Sequence, residues 1–434
     1  MAGQDLRSFV DAYGRAHPGE VIRVTEPVSI EEDVMALVLE YERRRRFPIL
    51  LFEKVVGHDI PIVCNAVASR RALAFALGVV ERALAAEYAR RIKDYVKPVV
   101  VPKAPFGHRM LTGAALDLAK LPMPLYFPGD AGRYLTAGML VARDPETGVE
   151  TEGYHRFQLK GPDRMGVSLH SRRRMFEYQR RAEAKGKALP CAVVLGLHPL
   201  VSMGSLAYPP PDVGKFEVVG GLLGEPLEVA PCSTIDLHVP AAAEIVIEGE
   251  ILPGVREPEG PFGEFTGYFS RRSTEHVFVA KAIAMREKPW FQSIGSGRAG
   301  DHITTLGLIR EAEITNALAR VIPNVRGGAG PAPARLDGLP RISSGRRRQV
   351  RGRRRPLRGA APRGAVRDHR PLRARRGGDR DRGRDPRRRA GARGAVRRVH
   401  RVLLPAQHRA RLRSPGAGHA RAAVVSIDRV RARR

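Results

Sequence analysis

Apolar residues recur along this chain in two periods. Over residues 5–13, 30–45 and 70–93 they return at the spacing of an amphipathic helix, while 21–28, 48–52 and 60–64 are short apolar runs of the buried-strand type. Ser29 stands where a helix N-cap would, and Glu31, Glu32 and Asp33 then fall in the first turn, where carboxylates favour the helix dipole. Residues 95–103 are extended and bear prolines, so residues 1–105 predict an α/β module. From about 118 the texture becomes β-rich: 135–143, 154–160, 167–170, 192–197, 227–239, 245–251 and 276–285 favour strands, with turn signals between them. A helix is predicted at 175–185, between two of these strands. Many short strands with helices at the margin predict a barrel or curled sheet over 106–300. A long amphipathic helix over 301–319 ends near Pro323 and carries a linker to residue 326.

Charge changes this picture at one end only. The 434 residues hold 75 Lys and Arg against 45 Asp and Glu, a formal net charge of +30, which invites a nucleic-acid reading. Residues 327–434, however, contain 34 Arg and 6 Asp with no Lys and no Glu, a net of +28, leaving +2 for the first 326. The same 108 residues have no Asn, Thr, Met, Cys, Phe, Tyr or Trp. That composition lacks the apolar content to fold. It reads as a shifted frame in a GC-rich gene starting near Gly327, which would leave the domain that belongs there missing or scrambled. The rival reading is an arginine-rich tail that binds nucleic acid through phosphates. The body reads as an ordinary cytoplasmic globular chain. It has no leader-like N-terminus and no run of about 18 apolar residues. Cys64, Cys191 and Cys232 show no metal-ligand or CxxC spacing, and apolar neighbours predict three buried thiols.

The chemistry concentrates in residues 256–270, REPEGPFGEFTGYFS. Glu259 and Glu264 flank a Gly-Pro-Phe-Gly turn among Phe262 and Phe265. Two acids in a tight, partly apolar loop are costly to bury without partners, and their pKa values can be pushed apart to give an acid and a base. The plainer alternative is an exposed loop with solvated carboxylates.

Three blocks bear on that choice: EIVIEGEI followed by EGPFGEFTGY, YHRFQL followed by GPDR, and LLGEPLEV running into DLHVP. In order and content they resemble the UbiD family of prenylated-FMN-dependent decarboxylases, over about residues 1–326. The resemblance implies a split-barrel-like flavin domain after the α/β module and a C-terminal α/β domain that builds a homo-oligomer. It implies that Arg156, Glu259 and Glu264 form the catalytic set. Arg156 would hold Glu259 ionised, and Glu264, in a drier spot, would keep its proton and donate it. The cofactor's azomethine-ylide ring would add across the Cα=Cβ bond of an unsaturated or aromatic carboxylic acid, CO2 would leave, and Glu264 would protonate the carbon. A flavin prenyltransferase would supply the cofactor; neither a membrane nor a nucleic acid is implied. The alternative in another class is a non-catalytic subunit of a carboxylase complex.

The family also binds a divalent metal such as Mn(II), often with potassium, through an Asn, a His and a Glu at the flavin phosphate. Here the Asn position is Thr151, the Glu position is Lys215, and the His position maps to His170. An ammonium in place of a carboxylate argues against a divalent site. Lys215 would then contact the phosphate itself, with a surface lysine as the alternative and Glu217 as a displaced ligand. Ser205, in the small-residue run Ser202–Ser205 after a strand, would let the flavin approach the backbone. His155 and His198 read as structural.

Overall fold

In the computed structural model, which describes residues 3–169, 173–297 and 299–321, the N-terminal pattern becomes α1 (Leu6–Ala16), β1 (Val21–Val24), α2 (Asp33–Arg43), β2 (Ile49–Phe52) and β3 (Ile62–Cys64). β1 and β2 pair in parallel, and β3 runs antiparallel to β2. Successive strand residues point to opposite faces. Ile49 and Leu51 therefore pack on Leu6, Phe9 and Tyr13 of α1, while Leu50 and Phe52 join the core that holds Val34, Leu37 and Val38 of α2. Burial on both faces explains why these strands read as unbroken apolar runs.

Helix α2 starts three residues later than the periodicity predicts. Asp33 accepts from Ser29 N at 2.9 Å and Ser29 Oγ accepts from Glu31 N at 3.1 Å, closing a turn before the helix begins. The single helix expected over 70–93 is instead α3 (Arg70–Leu77) and α4 (Leu84–Arg91). Ser69 caps α3, and Gly78, with φ of 73°, ends it in the left-handed conformation.

The β-rich half forms β4 (Val99–Val100), β5 (Arg109–Thr112), β6 (Tyr134–Leu135), β7 (Met139–Arg143), β8 (Glu150–Tyr154), β9 (Phe157–Leu159) and β10 (Arg164–Val167). After α5 (Arg174–Ala184) come β11 (Leu189–Leu195), α6 (Pro199–Ser205), α7 (Lys215–Leu223), β12 (Glu228–Pro231) and β13 (His238–Pro240). The long pair β14 (Ile245–Glu259) and β15 (Ser273–Met285), the short β16 (Phe291–Gln292) and α8 (Gly300–Ala319) complete the described chain. Nine strands make one sheet in the order β6-β9-β10-β15-β14-β11-β7-β8, with β5 paired to the end of β15, Ala282–Met285, beyond the stretch that β10 covers. Register shifts in the β14–β15 ladder after Glu248 and Ile251 bend it, as bulges do, and the sheet curls into a half-barrel. Leu140, Ala142, Val193 and Leu195 face one core, and Met139, Val141, Ala192 and Val194 face the other. Strand β16 returns to pair with β3, so the chain comes back to the N-terminal module just before α8.

Other expectations need correction. The strand expected over 227–239 is β12 and β13 with a turn between them, and Cys232 in that turn is half-buried. The run Ser202–Ser205 is not a loop but the end of helix α6. Leu308 and Ile309 of α8 are buried in the core that also holds Leu84 and Tyr88 of α4, while Ile303 and Leu306 are partly buried. His170, the end of the linker at 322–326 and the Arg-rich segment 327–434 lie outside the described residues.

Candidate active site

Arg156 sits on the two-residue link between β8 and β9, just ahead of the strand expected to carry it. Its Nε and Nη2 donate to the two oxygens of Glu259 at 2.9 and 2.8 Å, a fork-on-fork pair. Its Nη1 donates to Glu264 Oε1. Glu259 is the last residue of β14 and Glu264 lies in the hairpin beyond it, so the turn must bring the second acid back to the first. Gly260 makes this possible: its φ of 79° is the region a side chain disfavours. The hairpin is clipped by Phe262 and Ser270 through reciprocal bonds of 3.1 and 2.8 Å, and Gly263 N donates to Asp130 at 2.8 Å. Phe262 presents its ring 5.3 Å from the Arg156 guanidinium carbon and packs on Tyr134.

The two acids divide differently from the expectation. The Glu259 side chain is fully buried, whereas the Glu264 side chain retains 28% of its exposure, so the drier acid is Glu259. Glu264, Arg156 and Phe262 line one wall of a cavity of about 300 Å³. Asp301 and His302, at the start of α8, face it from another element. Asp301 accepts from Asn65 N at 2.6 Å and Val67 N at 3.1 Å, yet burial pushes its carboxyl up to about 7. Burial also holds His302 below the usual imidazole range, against the opposing pull of Glu264. The phenol of Tyr134 is raised by burial and by Glu259 beside it.

The remaining predicted residues separate into two groups. Ser205 is buried, and its hydroxyl donates to Ser202 O at 3.0 Å while Ser202 itself lines the cavity. His155 lines the cavity with Nδ1 3.0 Å from Ser168 O, and His198 caps α6 through Leu200 N, its imidazole pushed down to about 4 by burial. Thr151 is buried in β8. Lys215 is not a surface residue: it opens α7 with its Nζ donating to Ser205 O at 2.6 Å and Glu152 O at 2.7 Å. Glu217 is not a displaced ligand, because its carboxylate accepts from Gly214 N at 3.1 Å and caps the same helix. Among the described residues no three His, Cys, Asp or Glu side chains gather as a metal site would require. Of the positions weighed for a divalent ion, Thr151, Lys215 and Glu217 present a hydroxyl, an ammonium and a helix-capping carboxylate, and His170 lies outside the described residues.

Sequence reading missed Glu152, which is buried beside Lys215 with no hydrogen-bond partner on either carboxylate oxygen. It also missed the cavity faces of Asp301 and His302. An acid in the middle of a buried strand was the available signal for Glu152.

Residues 15–92 match the model of the 3-octaprenyl-4-hydroxybenzoate carboxy-lyase N-terminal domain, and residues 98–299 match that of the Rift-related domain of the same enzymes. The chain belongs to the UbiD family. Among solved structures it is similar to an evolved dimeric form of the UbiD-class enzyme HmfF from Pelotomaculum thermopropionicum, in complex with prFMN. That likeness has 34% identity and a TM-score of 0.70 over 74% of each chain. It is also similar to the apo 3,4-dihydroxybenzoic acid decarboxylase of Enterobacter cloacae, at 32% identity and a TM-score of 0.69, over 75% of this chain and 71% of that one. A relative from Rhodospirillum rubrum, a protein in the cooM 5′ region, is 31% identical over 314 residues. The match covers 71% of this chain and 66% of the relative, just under two thirds of its length.

Proposed function

We propose that this chain is a prenylated-FMN-dependent carboxy-lyase that acts on an α,β-unsaturated or aromatic carboxylic acid, in a reaction that is reversible in principle. What supports the reading most is one contact set: Arg156 carries a buried Glu259 on one edge of its guanidinium and the cavity-facing Glu264 on the other. The cavity fits a flavin in kind. It has apolar walls at Phe262, Ile294 and Leu306, and the hydroxyl of Ser296 is buried in it with no protein partner.

When bound, prenylated FMN supplies an electron-accepting ring for the substrate's double bond, and the protein's work is to place the acid and move one proton. Glu259, buried and bidentate, holds Arg156 in one orientation. A substrate carboxylate entering the cavity competes with Glu264 for Nη1 of Arg156, since both are anionic acceptors for the same donor. Once released from that bond, Glu264 stands beside the cavity as the general acid for the carbon that loses CO2. The cytoplasm, a flavin prenyltransferase as source of the cofactor and a homo-oligomeric assembly go with this reading. None of the described helices is long and apolar enough to cross a membrane. The direct check is the absorption spectrum of the purified protein. A flavin-like band is expected, and protein that stays colourless after exposure to prenylated FMN would contradict the reading.

A further inference from the structure

The Lys215–Glu152 pair is an odd thing to find behind the cavity wall. The Lys215 ammonium is buried and donates to two backbone carbonyls, Glu152 O and Ser205 O, which leaves one of its three donors. Both oxygens of the Glu152 carboxylate are buried with no hydrogen-bond partner. An unsatisfied carboxylate and a buried ammonium are each costly, and they offset one another only by proximity. The carbonyl of Ser205 belongs to the same helix end as Ser202 and Leu206, which line the cavity, and His155 and Arg173 line it from the other side. A Cβ placed on Gly153 would stand 3.8 Å from His155 Nε2 and 3.9 Å from Lys215 Nζ, so a notch free of side chain lies between them. Arg173 and Arg174 add positive charge around Lys215, and Arg143 already pairs with Glu150 at 3.0 Å. The notch is therefore cationic, and its charge comes from side chains.

We propose that the Lys215 ammonium, with Glu152 as its buried counter-charge, takes the place of the divalent ion, so that this chain holds its flavin phosphate without a metal. The inference rests on the flavin reading above and specifies how the phosphate end is held. Two features favour it over a hidden metal site. A divalent ion in the notch would face a fixed ammonium, and the one carboxylate beside it, Glu152, already offsets that ammonium, while Thr151 is neutral. Lys215, in contrast, is anchored by two carbonyls with one donor left to give.

The test uses the full chain with FMN as probe and riboflavin as the control that lacks phosphate. Affinities for FMN measured in EDTA and in excess Mn(II) should agree, and the 31P line of bound FMN should stay sharp as Mn(II) is added. Riboflavin should bind about tenfold or more weakly, the worth of a charge-assisted contact. Lys215→Arg should keep the preference for FMN. Lys215→Ala strands Glu152 and risks misfolding, so the double variant Lys215→Gln with Glu152→Gln, which is neutral, carries the loss-of-charge arm. It should bind FMN no better than riboflavin. The inference is overturned if EDTA weakens FMN binding, if Mn(II) tightens it or broadens the phosphorus line, or if the neutral double variant keeps the preference. Failure to bind FMN under every condition would overturn the flavin reading itself, and this inference with it.

Discussion

Arg156 makes three side-chain contacts with two acids, and only its planar fork can make them together. A lysine at this position offers a point charge and cannot hold Glu259 bidentately while reaching Glu264. Arg156→Lys is expected to lower kcat/KM by about 10–100-fold, because hydrogen bonds to charged groups contribute about 1.5–3 kcal/mol each. Steady-state kinetics at saturating cofactor check this, and an unchanged kcat/KM would mean the second edge of the guanidinium is idle. At this scale the sequence was informative where charge sits in a motif. Glu259 and Glu264 stood out in their own loop and Arg156 came through the family resemblance, and the structure brings all three together. Their environments were not legible, since which acid is buried depends on how the hairpin after β14 folds back under Phe262. Glu152 was not legible as half of a pair either, because Lys215 lies 63 residues away. No local pattern joins them.

At the scale of elements, α8 joins the N-terminal module to the site. Its first residues are held by Glu42, which accepts from Gly300 N, and by Asp301, which accepts from Asn65 N and Val67 N. Burial raises the Asp301 carboxyl from an ordinary 3.8 to about 7, and the Glu42 carboxyl from 4.5 to about 7. With the folded value above the unfolded one, each group contributes stability that is fully present below about pH 4 and lost as pH rises to about 7. Asp301→Asn, which keeps an acceptor for one backbone N–H, should flatten that decline without abolishing it, because Glu42 remains. Thermal unfolding at pH 5 and pH 8 reads this out, and an unchanged difference between the two would show that Asp301 does not titrate there. Further along the helix, Leu308 is fully buried against α4. Leu308→Ala should cost about 2–5 kcal/mol in urea unfolding, the range for a core leucine. Element existence was legible from period for the long helices and central strands, but not for β5, β8, α6 or β16. Starts and breaks were not: the Ser29–Asp33 turn delays α2, Gly78 divides the helix over 70–93, and the small residues of α6 pack helically against α7.

For the whole molecule, the decisive reading was that the +30 charge belongs almost entirely to residues 327–434 and says little about the near-neutral body. That body carries the half-barrel, the cavity and the acid pair. The sheet's order was beyond sequence reading, because β14 and β15 pair across a curl that depends on register shifts rather than on any residue type. The central claim is that this cavity performs decarboxylation with Glu264 as the proton donor. It is tested most directly by measuring CO2 release from a panel of unsaturated and aromatic acids, with wild type and Glu264→Gln both loaded with prenylated FMN. Wild type should turn over at least one acid, and Glu264→Gln should lose about 10²–10⁴-fold in rate while retaining the flavin spectrum. Equal rates in the two proteins, or a fully loaded wild type inert toward every acid in the panel, would contradict the account.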